Sequence, residues 1–193
     1  KVVRQVSSII KLTTIVGNPK PKSRTYSTAV EISTHLACFF NEHEKSAQEK
    51  IIDLVDLSEV IFKWDSQLVK DQIDTITNNT DFLIVASPTY KGSYTGLLKS
   101  FFDLLPMNCL TGKVAIPVMI GASPKHAMAI EMHFRSLLTE LGAICPIQGL
   151  FILEHELNQL EQMLSKWVQN SKQILKMCIL FGDDQYKKDG LER

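Results

Sequence analysis

The chain has 193 residues, 45% hydrophobic and 22% charged, and its 21 basic and 21 acidic side chains cancel. That length suits one domain with a sizeable core, and the neutral balance argues against nucleic acid, whose phosphates select a basic surplus, and against a strongly acidic electron carrier. The four cysteines, Cys38, Cys109, Cys145 and Cys178, make no CxxC and stand near no histidine at metal-ligand spacing, so they read as free thiols of a reducing, cytoplasmic compartment, with no metal site expected.

In chain order, Lys11–Val16 is a β-prone run closed by Gly17. From Arg24 to about Asn41 the pattern is helical, with Ala29, Ile32, Leu36 and Phe39 or Phe40 on one face. Ile51–Val55 is a second strand, and Asp65–Asn79 a helix carrying Leu68, Val69, Ile73 and Ile76. Asp81–Ala86 is continuously apolar after its first residue, as suits a parallel strand covered on both faces. Thr95–Leu105 is helical and stops at Pro106. Lys113–Ile120 is a fourth strand, in which Pro117 marks either a bend or a place where no ladder bond is needed. Pro124–Leu141 is a helix with Ser123 as N-cap and Gly142 at its end. Cys145–Leu153 contains the fifth strand, and Glu156–Met177 is the last helix. The core is expected at about 11–178, with 1–10 and 182–193 as tails of a single domain. No run reaches the roughly 18 apolar residues of a membrane helix, and the N-terminus has no long apolar signal region.

Strands alternating with helices give an open α/β sheet, where ligands bind beyond the carboxyl ends of the strands at the topological switch point. The loops after the first, third and fourth strands are the places to look. The first, Gly17-Asn18-Pro19-Lys20-Pro21-Lys22-Ser23-Arg24-Thr25, brings hydroxyls, free amides and cations to a helix start. It is either an anion site or a capped helix with a solvated basic loop. Its glycine spacing fits neither a Walker A loop nor GxGxxG. In the second loop Pro88 ends the strand, Thr89, Tyr90 and Ser93 suit the edge of a flat heterocycle, Lys91 suits a negative charge, and Gly92 permits close backbone approach. The bland alternative is a turn whose tyrosines pack locally. The third loop, Gly121-Ala122-Ser123-Pro124-Lys125-His126, offers small residues against which something flat can lie; His126 is assigned no acid/base work.

The segments GNPKPKSRT, SPTYKGSYTGLLKSFFDLLP and GASPKH resemble the NAD(P)H-dependent FMN reductase family, closest to the branch that feeds reduced FMN to sulfonate monooxygenases. The resemblance implies a flavodoxin-like fold with a five-stranded parallel sheet in the order 2-1-3-4-5, FMN and NAD(P)H as cofactors, and a homodimer or homotetramer. It implies that Asn18, Lys20, Ser23, Arg24 and Thr25 hold the FMN phosphate, that Pro88, Thr89, Tyr90, Lys91, Gly92 and Ser93 hold the isoalloxazine, and that Gly121, Ala122 and Ser123 close the far side. Lys20 stands where relatives often carry arginine, and a lysine loses the bidentate fork. Ala122 stands where many have glycine, and Met132 and His133 lie where sulfonate-linked relatives can carry a tyrosine.

Hydride transfer between nicotinamide and flavin is chemistry of the cofactors, so the chain need only stack the rings and stabilise the developing anion. Lys91 is the candidate for that charge, or else tethers its loop. The apolar width of Leu97, Leu98, Phe101, Phe102, Leu104 and Leu105, with Met128 and Met132 on the later helix, points to a subunit interface or to a thick core. An FMN-bound quinone or azo-compound reductase and a non-enzymatic flavodoxin-like carrier are the competing readings. The carrier's usual T-x-T-G-x-T loop is missing from this sequence.

Overall fold

A computed structural model describes residues 9–63 and 65–189, with 181–189 as backbone only. Among the described residues, five strands lie parallel in the order β2-β1-β3-β4-β5: β1 (Ile9–Val16), β2 (Ser46–Asp53), β3 (Phe82–Pro88), β4 (Val114–Gly121) and β5 (Leu150–Leu153). The helices are α1 (Arg24–Glu42), α2 (Gln67–Asn78), α3 (Gly96–Phe102), α4 (Ser136–Glu140) and α5 (Leu160–Asp189). This is the expected sheet and the expected order. Of the expected tails, 1–10 and 182–193, residues 1–8 and 190–193 lie outside the described residues, while Ile9 and Ile10 open β1 and residues 182–189 continue α5.

Strand periodicity sorts the core onto two faces. In β3, Leu83 and Val85 turn toward α3 and the helices around α4, packing with Leu98, Phe101 and Phe134. Phe82, Ile84 and Ala86 turn the other way, against Ile32, Leu36 and Phe40 of α1 and Leu164 and Leu175 of α5. Each fully buried Leu, Ile or Phe adds about 1.5–3 kcal/mol, so the two central strands, buried almost throughout, fix the sheet. The wide apolar face of α3 is absorbed by this core, with Leu98, Phe101, Phe102 and Leu105 buried. Met128 and Met132 stay exposed, each at 64%.

Several boundaries differ from the sequence expectation. Strand β2 starts at Ser46, well before Ile51, because it is an edge strand with polar, exposed residues. Helix α3 ends at Phe102, where Leu104 and Leu105 donate to carbonyls three residues back and tighten the chain ahead of Pro106. Leu68, expected on the apolar face of α2, is exposed.

The expected helix over Pro124–Leu141 is broken into a 3₁₀ turn (Pro124–His126), a wide π turn (Ile130–Arg135) and α4. The cause lies outside the segment. Arg135 bonds Glu131 on its own turn and donates to the carbonyls of Cys145 and Ile147, while Glu131 accepts from Gly149 N. Local periodicity carries no sign of such tertiary bonds. The last helix starts later than expected, at Leu160 after a 3₁₀ turn, and continues past Met177 to Asp189. No proline follows Met177, and the single Gly182 costs only about 1 kcal/mol.

Pro117 is accommodated without a bend in the pairing, in register with Val85 of β3. Ala115 turns its N–H outward to Ile144 O at 2.8 Å, so Pro117, two residues on, faces the same side. There the neighbouring chain carries two more residues than β4 between Ile144 and Leu150, its carbonyls at Cys145 and Ile147 are taken by Arg135, and pairing resumes at Val118↔Leu150. The missing donor thus falls where no ladder bond is made.

Candidate functional site

Parallel pairing brings the carboxyl ends of β1, β3 and β4 to one edge of the sheet, and hydrogen bonds knit the three departing turns together. Gly17 N donates to Ala86 O at 2.8 Å, and Thr89 N donates to Ile120 O at 2.7 Å. Thr95, buried at the N-cap of α3, donates from Oγ1 to Gly17 O at 2.5 Å and accepts from Leu98 N at 3.1 Å. Ser87 Oγ accepts from Thr95 N at 3.1 Å. A Cβ on Gly17 would sit 2.8 Å from the Leu98 side chain, so only glycine lets the first loop lie this close to α3.

In the first loop Asn18 is buried and serves as internal scaffold. Its Nδ2 donates to Thr25 Oγ1 at 2.9 Å, and its Oδ1 accepts from Lys20 N at 3.0 Å. Ser23 caps α1, its Oγ accepting from Tyr26 N at 3.1 Å. Helix geometry leaves the first amides of α1 without intrahelical partners, and the dipole makes that end positive. Lys20, Lys22 and Arg24 are exposed around it. Arg24 Nη2 donates to Glu154 Oε2, just past β5, at 2.9 Å. At the end of β2 burial pushes the Asp53 carboxyl up, while the Val55 N–H pulls it back.

The second loop is a two-residue hairpin turn. Tyr90 and Ser93 exchange both backbone bonds, and the central Lys91 and Gly92 have φ of 51° and 77°. Two positive φ values define a type I′ turn, for which lysine is an uncommon first residue. Lys22 in the first loop is also left-handed, at φ 50°. A left-handed non-glycine residue costs roughly 1–2 kcal/mol, so two cations of this edge sit in strained backbone, as residues at ligand sites often do.

The third loop closes against the second. A Cβ on Gly121 would lie 2.6 Å from Phe151 Cζ and 3.1 Å from Thr89 Oγ1, and one on Gly92 would lie 3.6 Å from His126 Nδ1. Ser123 Oγ accepts from Lys125 N, and Ala122 before it is exposed. Thr89 Oγ1 is buried without a hydrogen-bond partner.

The structure therefore gathers Asn18, Lys20, Ser23, Arg24 and Thr25 at one end of the edge, and Pro88 through Ser93 with Gly121, Ala122 and Ser123 at the other. Sequence reasoning did not single out Thr95, Ser87 or Glu154. Thr95 had a legible signal, as a threonine directly before an apolar helical run. Glu154 had none, since its partner is 130 residues away.

A five-stranded parallel sheet in this order, with such turns at its carboxyl edge, is a flavodoxin-like architecture. The chain belongs to the NADPH-dependent FMN reductase family, which matches residues 10–158. It is 36% identical over 89 residues to the FMN reductase (NADPH) of Escherichia coli (strain K12), a match covering 46% of each chain. The match thus spans just under half the length of that relative. It is 27% identical over 157 residues to the NADH-dependent FMN reductase SfnE of Pseudomonas putida, covering 79% of this chain and 81% of the other. Among solved structures, the apo form of the NADH:FMN oxidoreductase EMOB superposes with a TM-score of 0.74 at 30% identity, covering 83% of this chain and 87% of that one. Among the described residues no helix is long and apolar enough to cross a membrane.

Proposed function

We propose that this chain is an NAD(P)H:FMN oxidoreductase that hands reduced flavin to an FMN-dependent monooxygenase. The observation that carries the reading is the convergence of the three turns on one sheet edge in a chain of this family. The residues present fit FMN. At the α1 end, amides and three cations suit a phosphate; at the other end, the orphaned Thr89 Oγ1 offers a polar handle beside Gly121.

In this reading the amides at Ser23, Arg24 and Thr25, with the side chains of Lys20, Lys22 and Arg24, bind the phosphate, and Asn18 shapes the loop for them. Pro88, Thr89, Tyr90, Gly92 and Ser93 seat the ring, and Gly121, Ala122 and Ser123 close its far side. Lys91, held out on the I′ turn, places a cation near the developing negative charge. When bound, the flavin supplies the hydride acceptor and the nicotinamide the donor. A homodimer or homotetramer meeting on the exposed Met128 and Met132 face, in the cytoplasm, completes the proposal.

The test mixes purified protein with NADH or NADPH and follows loss of nicotinamide absorbance as FMN is added. Saturable, FMN-dependent oxidation is expected. No oxidation of either nucleotide overturns the reading, and bound flavin with fast quinone turnover would favour the quinone or azo-compound reductase instead. Replacing Ser23 and Arg24 together by alanine weakens FMN in a flavin titration; an unchanged titration would put the phosphate elsewhere.

A further inference from the structure

The ion pair between Arg24 and Glu154 is out of place for a stability element. Its N···O distance is 2.9 Å, yet its side chains are 67% and 43% exposed, and pairs so exposed contribute little to folding. What distinguishes it is location. Arg24 is the first residue of α1, beside the Ser23 cap, at the positive end of the helix and among the cations Lys20 and Lys22. Glu154 reaches this point because β5 ends at the same sheet edge as β1. One carboxylate thus engages Nη2 of a guanidinium where the reading above seats a phosphate, bringing a negative charge there and taking one of the donors a phosphate would use.

Resting on that reading, we propose that Glu154 is an internal competitor for the flavin phosphate. Its carboxylate holds Arg24 and must yield it when the phosphate arrives. FMN is therefore held more weakly than the cations of the first loop alone would hold it, and it exchanges as a substrate. Glu154 acts through Arg24 and is a positioning residue, with no part in the hydride step.

The test titrates FMN and riboflavin separately into the wild type, Glu154→Gln, Arg24→Ala and the double variant. Glu154→Gln is expected to tighten FMN by roughly two- to five-fold, the range of an exposed ion pair, and to leave riboflavin, which has no phosphate, unchanged. In the Arg24→Ala background the same substitution yields at most a fraction of that gain. Unchanged or weaker FMN binding by Glu154→Gln, or an equal change for riboflavin, overturns the inference while leaving the flavin site standing. A wild type that binds no FMN removes the site and the inference together.

Discussion

Replacing Thr95 by valine tests how the turns are joined. The side chain is 2% exposed, donates to Gly17 O at 2.5 Å and accepts from Leu98 N at 3.1 Å. Valine keeps the shape and removes both bonds. Loss of the N-cap costs about 1 kcal/mol, and a buried carbonyl left without its donor costs about 1–2 kcal/mol. The expected sum of about 2–3 kcal/mol, at a urea dependence of about 2 kcal/mol/M, lowers the unfolding midpoint by roughly 1–1.5 M. Thr95→Ser keeps both bonds and is expected to stay much closer to the wild type. Because Gly17 opens the first loop, FMN affinity falls in the valine variant as well. If Thr95→Val unfolds within about 0.5 kcal/mol of the wild type, or if serine is as damaging as valine, the hydroxyl does not tie these turns together.

Gly121→Val drives a side chain into Phe151 Cζ and Thr89 Oγ1; it is expected to cost about 1–3 kcal/mol in thermal unfolding and to weaken FMN, and no change in either would mean the third loop does not close the site. Lys91→Gly separates charge from shape. Relief of the left-handed strain, about 1 kcal/mol, roughly offsets the entropy cost of glycine, so stability holds while the rate of nicotinamide oxidation drops; an undiminished rate would remove Lys91 from the chemistry. The hydrogen bond from Arg135 holds the Glu131 carboxyl below its ordinary value, against an opposing push from burial. A lowered carboxylate contributes stability that is fully present above its unfolded value and is lost as pH falls through the folded one. Thermal unfolding of the wild type and Glu131→Gln should therefore differ most at neutral pH and converge in acid, below the ordinary glutamate range near 4.5; a constant gap would refute the pairing.

What was legible in the sequence is what local physics writes there. The apolar run of β3 announces a strand covered on both faces of a parallel sheet, and the spacing of Ala29, Ile32, Leu36 and Phe39 or Phe40 announces the buried face of α1. The switch-point rule then points to the three turns. Contacts between distant residues left no such trace. The edge strand β2 has no apolar pattern because only Ile52 is fully buried in it. The broken helix after β4 depends on Arg135 and Glu131 bonding a loop some ten to eighteen residues on. Glu154 at Arg24, and Thr95 at Gly17, are tertiary meetings of the same kind. Asn18 was legible as a site residue, yet its inward scaffold bonds show only in the folded chain.

The most direct measurement is a crystal structure of the protein grown with FMN. The account predicts the phosphate on the amides at Ser23, Arg24 and Thr25, with the ring lying between the Pro88–Ser93 turn and Gly121, Ala122 and Ser123. Flavin bound at any other surface, with these turns making no contact to it, would contradict the account.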